Sequence, residues 1–304
     1  MIMEQMAKEL SLPAGHIARL VKTASHQYKE YQISKRGGGQ RTILQPSRRL
    51  KALQKWLLAN FIATWPVHES ATAYRKGRTI LDNAKAHQGT RFLLRMDMSE
   101  FFPSLTIEDM IAYKASRPHL FKEWTGHDFA SFCMLTFRFG HLTIGAPTSP
   151  AISNILCFDL DVALDGICRR RSVNYTRYAD DLFFSTNEEG VLATIEQEVK
   201  QAVPNLAIPS KLRINETKTR HSSKRGARRV TGIVLGSDGK TYVGRKLKRG
   251  VRSQVHKLES LAPAERSRLA GMIAYITGFD PGFMNTLIRK YGHATAMRAR
   301  DGRP

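Results

Sequence analysis

One short stretch decides the fold of this chain, YTRYADDLFFS at residues 175–185. Apolar residues flank an adjacent pair of acids, Asp180 and Asp181, which predicts two strands joined by a polar turn. On its own, a pair of acids in a turn is most often a solvated surface feature. Acids placed between two half-buried strands, however, have a physical reason for their position if they bind a metal ion.

A third acid ends an earlier predicted strand, FLLRMD at residues 92–97. Asp97 is its last residue and shares one face with Arg95. Mg²⁺ prefers carboxylate oxygens, and two such ions about 3.5 to 4 Å apart stabilise the attacking and leaving oxygens of phosphoryl transfer. Because adjacent side chains of an extended chain point apart, we expect Asp180 to face the same ion as Asp97, with Asp181 assisting.

The order of elements around these acids is strand, helix, helix, strand, turn, strand. That order favours an antiparallel sheet covered by helices on one face, an α+β fold. The other predicted elements are helices over residues 1–30, 50–63 and 150–167, a hairpin arm over residues 40–46, a helix N-terminus at Thr106 to Asp109, a strand over residues 229–235, and two late helices that meet between Gly278 and Pro281.

Charge is the first functional clue, since 48 Lys and Arg against 26 Asp and Glu give a net charge of +22 and a pI of about 10.2. The segment from Lys211 to Lys257 holds 15 Lys or Arg against only Glu216 and Asp238. Such a segment is expected to bind a polyanion such as nucleic acid, with counterion release making the binding salt-dependent. Nothing in the sequence favours a membrane surface.

Length and cysteine content set further bounds. A chain of 304 residues suits one catalytic unit with subdomains, without added nuclease or integrase domains. Cys133, Cys157 and Cys168 include no CxxC pair, so neither a disulfide framework nor a cysteine zinc site is predicted. No apolar run approaches about 18 residues and the N-terminus lacks a signal pattern, so we expect a soluble, cytoplasmic protein.

Several motifs in one order resemble the catalytic pattern of reverse transcriptases. YADD follows an earlier Asp97 and Phe101-Phe102. Further matches are RTI with PS at 41–43 and 46–47, GAPTSP at 145–150 and NETKT at 215–219. The resemblance covers most of the chain and implies a right-hand polymerase: N-terminal helices and fingers over residues 1–90, palm with the remaining fingers elements over 91–242, and a small helical, RNA-binding thumb over 243–304.

Two further motifs resemble those of retron reverse transcriptases, NAKAH at residues 83–87 and VTG at 230–232. Asn83 and His87 would share a helix face. Taken alone, His87 is as readily a structural residue, and VTG a common strand fragment. The RNA-binding candidates that follow are Asn83, His87, Arg228, Arg229, Val230, Thr231, Gly232, Arg245, Lys246, Lys248 and Arg249.

The resemblance also implies roles at the active site. Asp97, Asp180 and Asp181 would hold two Mg²⁺ ions, with Mn²⁺ as an alternative. The nucleotide-binding candidates are Arg41 on the triphosphate, Phe102 against the ribose 2′-position, Ile144 and Gly145 in the GAPTSP loop, and Lys218 assisting the leaving group. Most relatives carry Gln where this chain has Ile144, a feature similar to diversity-generating reverse transcriptases, which usually end that motif in Ser-Gln rather than Ser-Pro.

As a retron enzyme, the chain would copy its cognate non-coding RNA (msr-msd) from dNTPs into a branched RNA–DNA molecule, msDNA. It would act in antiphage defence with a separate effector or toxin protein. The alternatives are a group II intron or diversity-generating reverse transcriptase, and an RNA-binding scaffold without catalytic activity. Intron enzymes usually carry a maturase extension, for which the residues after Tyr242 leave little room, and the presence of all three acids disfavours the scaffold.

Overall fold

The structure is a computed structural model that describes residues 2–34 and 38–302. The helices are α1 (Ile2–Glu9), α2 (Ala14–Lys22), α3 (Arg48–Asn60), α4 (Ile80–Lys85), α5 (Ile107–Ser116), α6 (Gly126–Thr136), α7 (Ser149–Leu156), α8 (Phe158–Arg169), α9 (Val191–Ala202), α10 (Arg245–His256), α11 (Pro263–Phe279), α12 (Gly282–Tyr291) and α13 (His293–Asp301). The strands are β1 (Tyr28–Ser34), β2 (Gln40–Pro46), β3 (Phe92–Asp97), β4 (Asn174–Tyr178), β5 (Asp181–Thr186), β6 (Arg220–Ser223), β7 (Arg228–Val230), β8 (Ile233–Leu235) and β9 (Thr241–Val243).

These strands form three sheets. β1 and β2 make an antiparallel hairpin in which Tyr28 lies opposite Pro46 and Ile33 opposite Arg41. A four-stranded sheet has the order β4-β5-β3-β6, so the strand that ends at Asp97 lies beside the strand that follows the acid pair. A three-stranded antiparallel sheet has the order β7-β8-β9. The mixed α+β class predicted from the sequence is confirmed.

Local sequence explains where several elements begin. β2 and β3 have the bounds that alternation predicted. The predicted N-terminus of α5 is confirmed, since Thr106 and Asp109 form a capping box in which each side chain bonds the other residue's backbone N–H. α3 starts two residues before Leu50 because the Ser47 hydroxyl accepts a hydrogen bond from the Leu50 N–H and caps the helix there.

Three sequence-based assignments were wrong in extent. Residues 150–167 form two helices, α7 and α8, separated at Cys157, because the apolar period runs through the break and hides it. The helix predicted over residues 1–30 ends at Lys22, and a strand starts at Tyr28. The strand predicted around VTG is a hairpin, with β7 and β8 joined at Thr231-Gly232.

The chain forms two compact units. The first comprises Met1–Arg78, Leu94–Phe184 and Gly190–Arg220, and the second Thr79–Leu93, Ser185–Glu189 and His221–Pro304. The fingers, palm and thumb bounds given above stay a prediction. Helices α10 to α13 of the second unit enclose an apolar core of their own: Val251, Val255, Leu258, Leu269, Ile273, Ile276, Phe283, Leu287, Ala296 and Ala299, together with Val243 of β9.

In the part of the chain that the structure describes, no helix has both the length and the apolar composition needed to span a bilayer. Cys133, Cys157 and Cys168 are buried free thiols. Burial raises the pKa of each to about 12, so none of them supplies a reactive thiolate near neutral pH.

Candidate active site

The turn that carries the acid pair is fixed by its backbone. β4 ends at Tyr178 and β5 starts at Asp181, so Ala179 and Asp180 form the turn itself. Ala179 adopts a left-handed conformation, with φ of 57°. For a residue with a side chain this costs roughly 1 to 2 kcal/mol and persists only where neighbours enforce it. The Asp180 carbonyl also accepts a hydrogen bond of 3.0 Å from the Met98 N–H, next to Asp97.

A buried arginine holds this turn from below. The Arg177 guanidinium is fully buried and donates to both oxygens of Asp161 at 2.8 and 2.6 Å. It also donates to the Asn154 side-chain oxygen at 3.1 Å and to the Ala179 carbonyl at 3.3 Å. The Tyr175 hydroxyl donates to Asp161 at 2.8 Å, and burial raises the pKa of Tyr175 well above its ordinary value. Removing one partner of a buried ion pair typically lowers stability by about 3 to 5 kcal/mol. The Arg177–Asp161 pair is therefore strongly held, and through Arg177 it fixes the position of the turn.

Asp97, at the end of β3, has only 4 % of its surface exposed. Its carbonyl accepts a 2.7 Å hydrogen bond from the Asn215 N–H, which anchors the loop that follows. That loop places the Lys218 ammonium 2.8 Å from an Asp97 carboxylate oxygen. The Lys218 side chain is 59 % exposed, so the pair adds little stability and its main effect is to place a positive charge at the acid.

Asp180 and Asp181 have different environments. Burial raises the pKa of Asp180, and the charge of Asp97 raises it further, while Lys218 and Arg41 act in the opposite direction. Burial raises the pKa of Asp181 to about 6, although the Arg95 guanidinium lowers it. Arg95 donates from two nitrogens to one Asp181 oxygen, at 3.0 and 2.8 Å. The two neighbouring carboxylates therefore meet different partners, as expected of adjacent side chains.

The carboxylate oxygens of Asp97, Asp180 and Asp181 are the type of ligand that a divalent cation such as Mg²⁺ prefers. Asp97 and Asp180 each raise the pKa of Asp181, which shows that the three carboxylates repel one another, and a divalent cation relieves such repulsion. Across residues 2–34 and 38–302, no three His, Cys, Asp or Glu side chains are already arranged as a metal cluster. Lys218 contacts one carboxylate oxygen of Asp97, and Arg95 contacts one carboxylate oxygen of Asp181.

The nucleotide-binding candidates of the first unit lie on three elements. Arg41 is exposed on β2. Phe101 is 5 % exposed and belongs to the core, whereas Phe102 is half-buried, so only the ring of Phe102 keeps accessible surface at the site. The Ile144 carbonyl accepts a 2.8 Å hydrogen bond from the Leu44 N–H of β2. Ile144 itself is half-buried, and its side chain offers only apolar contact.

Gly145 is required by a close approach of two chain segments. Its φ is 124°, and a Cβ at this position would lie 2.7 Å from the Leu44 carbonyl oxygen. Real Cβ atoms do not approach backbone that closely, so any side chain would push the loop away from β2. The glycine of the GAPTSP motif therefore keeps the loop in register with the strand that carries Arg41.

In the second unit, the NAKAH motif lies in and after α4, with Asn83, Ala84 and His87 buried and Lys85 and Ala86 exposed. Asn83 and His87 have no exposed surface, and the His87 ring nitrogen Nδ1 lies 2.7 Å from the Ser185 hydroxyl. Burial lowers the pKa of His87 to about 3, so the imidazole is neutral at physiological pH. Neither side chain has a surface with which to contact RNA, and we no longer propose them as contacts.

The VTG motif forms the turn of the β7-β8 hairpin. Thr231 and Gly232 have φ of 48° and 87°, the two positive values that a type I′ hairpin turn requires. Val230 is fully buried, and the Thr231 hydroxyl donates to the Ile80 carbonyl at 3.3 Å. The hairpin is thereby joined to α4, so the two motifs that resemble those of retrons form one structural block.

Arg228 belongs to the same block. Its side chain is fully buried, donates to the Thr90 carbonyl and to the Gly236 carbonyl at 3.0 Å, and has its pKa lowered by burial. We therefore no longer propose Arg228 as an RNA contact, nor the buried Val230. The candidates that keep accessible surface are Arg229, Thr231, Gly232, Arg245, Lys246 and Arg249, together with Lys248, which is 18 % exposed and pairs with Asp280.

Sequence reasoning missed three residues of the first unit. Arg95 had a usable signal, because it lies two residues before Asp97 on the same strand face. Arg177 had a weaker one, a cation directly before the YADD motif. Tyr74 had no such signal. Its ring lies near that of Phe102, with centroids 6.5 Å apart, because its backbone is left-handed, and this conformation cannot be predicted from the sequence.

Comparison with known proteins identifies the class. Residues 33–247 match the family described as reverse transcriptase (RNA-dependent DNA polymerase). The fold is similar to that of a foamy viral protease-reverse transcriptase solved in complex with double-stranded DNA, with a TM-score of 0.52 and 14 % identity over 90 % of this chain and 44 % of that one. The chain is thus a reverse transcriptase with the right-hand polymerase fold, as the motifs predicted.

The similarity is more specific among curated proteins. The chain is 37 % identical to the retron Ec83 reverse transcriptase of Escherichia coli, over 90 % of this chain and 89 % of that protein. It is 29 % identical to the retron Ec86 reverse transcriptase of the same species, over 98 % and 93 % of the two chains. The chain belongs to the retron reverse transcriptase family. It is accordingly an RNA-directed DNA polymerase, it binds RNA templates, and enzymes of its class generally depend on divalent metal ions.

Proposed function

We propose that this protein copies a cognate retron RNA, msr-msd, into branched RNA–DNA (msDNA), and that it serves antiphage defence in the bacterial cytoplasm with a separate effector protein. Membership of the retron family supports the substrate and the branched product. The observation that carries the catalytic part is the meeting of Asp97, Asp180 and Asp181 at the ends of β3 and the β4-β5 turn, where burial and the charges of the neighbouring acids raise the pKa of Asp180 and of Asp181.

Asp97 and Asp180 would bind Mg²⁺, or Mn²⁺ in its place, and Asp181 would join once its carboxylate leaves Arg95. Two bound ions would supply charge neutralisation for the attacking 3′-hydroxyl and the departing pyrophosphate. Lys218, which pairs with Asp97, would assist the leaving pyrophosphate with its positive charge.

The remaining residues would position the nucleotide. The exposed guanidinium of Arg41 can bind the triphosphate in a bidentate manner. Phe102 would lie against the sugar and exclude a 2′-hydroxyl. Gly145 would keep the loop bearing Ile144 against β2, so that the triphosphate site and the loop stay aligned.

RNA would bind through the exposed basic residues of the second unit, chiefly Arg229, Arg245, Lys246 and Arg249. Arg245, Lys246 and Arg249 lie on the solvent side of α10, whose Val251 and Val255 face the core. Neutralising phosphates along this helix would release counterions and make affinity fall steeply with salt.

The test uses purified protein, dNTPs, Mg²⁺ and the structured RNA transcribed from the DNA beside its gene. We expect DNA that stays covalently joined to RNA until a debranching enzyme cleaves the 2′-linkage. DNA made only from an added primer, never joined to the RNA, would support an intron or diversity-generating reverse transcriptase instead. Absence of any DNA, with tight RNA binding, would support a scaffold.

The defence role has a separate test. Deleting the gene for the chain, or a neighbouring effector gene, should abolish protection against phage in a host that carries the whole locus. Protection that survives loss of the reverse transcriptase would contradict the role. Co-purification of the neighbouring protein with the RNA-loaded enzyme would identify the partner.

A further inference from the structure

Tyr74 has a backbone conformation that is uncommon for a bulky residue. Its φ is 60°, in the left-handed region, and 49 % of its surface is exposed. A bulky residue is rare there, and strained residues of this kind concentrate at functional sites. An exposed tyrosine gains too little from burial to explain the strain.

A buried network enforces this conformation. The Asn154 side-chain amide, 1 % exposed, donates to the carbonyl of Ala73 at 2.8 Å. Two backbone hydrogen bonds, at 2.7 and 2.8 Å, tie Ser70 and Thr72 to Arg177. Arg177 is the residue that also holds the YADD turn, so one network positions both the acid turn and the segment that ends in Tyr74.

The ring of Tyr74 lies among the residues proposed to handle the nucleotide. Its centroid is 6.5 Å from that of Phe102, and the ring planes are inclined by 44°. The pKa of Tyr74 is raised by burial first and then by the charge of Asp180, and it is lowered by the guanidinium of Arg41. Tyr74 is therefore within electrostatic reach of both the acid turn and the triphosphate candidate.

We propose that Tyr74 is a specificity-determining residue that contacts the sugar of the incoming deoxynucleotide and forms, with Phe102, a two-ring wall. A nucleotide whose triphosphate binds Arg41 and whose reacting phosphorus lies at Asp180 must place its sugar beside Tyr74. The second ring narrows the space in which a 2′-hydroxyl could fit. The left-handed backbone is what brings the ring of Tyr74 to Phe102, and this inference rests on the proposed polymerase site.

The test exploits the backbone strain. Asn tolerates the left-handed region, so Tyr74→Asn removes the ring without a conformational penalty. We expect this variant to have a Tm no lower than wild type, a KM for dNTP raised about tenfold and a preference for dNTP over rNTP lowered about tenfold, the size of loss that one apolar contact gives. Tyr74→Phe, which keeps the ring, should preserve the preference.

Phe139→Asn is the matched control. Phe139 is another exposed aromatic with a left-handed backbone, with φ of 48° and 57 % exposure, but its ring packs against His26, with centroids 5.3 Å apart. This variant should leave the sugar preference unchanged. If Tyr74→Asn does not fold, Tyr74→Gly provides the same test, because Gly accepts the backbone without a ring.

Steady-state incorporation of single dNTPs and matching rNTPs on an RNA template with an annealed DNA primer separates the possible outcomes. Unchanged sugar preference in a folded Tyr74 variant would overturn the proposal. The annealed primer makes the assay independent of the branched product, so failure of the retron assignment leaves the test valid. A wild-type enzyme that incorporates no nucleotide would instead overturn the polymerase site.

Discussion

The catalytic motifs and the retron-type motifs are both short polar signatures in the sequence, but they differ in the structure in how accessible their side chains are. In the first unit, the pKa values of Asp180 and Asp181 are raised, and the exposed cations Arg95 and Lys218 pair with Asp181 and Asp97 where solvent and ligands can reach them. Asn83, His87 and Arg228 of the second unit are fully buried. A signature motif can thus mark either the chemistry or the scaffold that presents it, and burial distinguishes the two.

The largest expected effect concerns the acids. Asp180→Ala should abolish DNA synthesis, since metal ions contribute several kcal/mol of transition-state stabilisation and each 1.4 kcal/mol is a factor of ten, so activity should fall at least about a thousandfold. RNA binding should be largely retained. DNA yield on the cognate RNA and RNA affinity by filter binding measure both, with Glu188→Ala, an exposed acid, as control. Wild-type yield from Asp180→Ala would disprove the assignment.

The adjacent arginines of β7 provide the next contrast. Arg228→Ala removes the donor to the buried Thr90 carbonyl and leaves the Gly236 carbonyl with the Gly239 N–H, so it should lower the free energy of unfolding by about 1 to 3 kcal/mol in a urea titration. Arg229→Ala removes an exposed charge, so stability should change by less than about 0.5 kcal/mol. RNA affinity should fall only for Arg229→Ala. The slope of log affinity against log salt concentration should then decrease by about one. A reversal of this pattern would place the RNA contact at Arg228.

His87 makes the second unit sensitive to acid. Its pKa is about 3 in the folded chain and about 6.5 when unfolded, so only the unfolded chain takes up a proton between these values. The contribution of neutral His87 to the free energy of unfolding is present above pH 6.5 and is lost as the pH falls. The free energy of unfolding should decrease by about 2 kcal/mol between pH 7 and pH 5. Urea unfolding of wild type and His87→Asn should differ in that slope. His119→Asn, an exposed control, should keep it.

Ile144 should show the smallest effect. Its backbone is fixed by the hydrogen bond from Leu44, so Ile144→Gln changes only the side chain. A Gln could donate and accept hydrogen bonds near the nucleotide, and we expect tighter dNTP binding or fewer misincorporations, a gain of about 0.5 to 1.5 kcal/mol, the net contribution of one hydrogen bond. Incorporation of correct and mismatched dNTPs measures this. Equal efficiency and error rates in a folded variant would remove Ile144 from nucleotide handling.

Sequence reasoning succeeded where periodicity and ordered motifs carry the information. Alternation gave β3 with its terminal Asp97, and the YADD motif gave the acid turn. It failed where tertiary packing decides: the break at Cys157 is invisible to an apolar period, and Arg228 is buried although its charge predicts exposure. The positions of Tyr74 and Thr231 depend on positive φ values, which the sequence does not predict for residues other than glycine.

The contact of Gly145 with Leu44 has a practical consequence for building chimeric enzymes. A Cβ at Gly145 would lie only 2.7 Å from the Leu44 carbonyl oxygen, so the backbones of the GAPTSP loop and β2 are packed directly against each other. A change in the backbone of one therefore requires a matching change in the other. Exchanging the hairpin alone for that of another reverse transcriptase would pair a foreign backbone with an unchanged loop and misplace Arg41. The strands β1 and β2 and the loop at residues 143–150 should therefore be transplanted together.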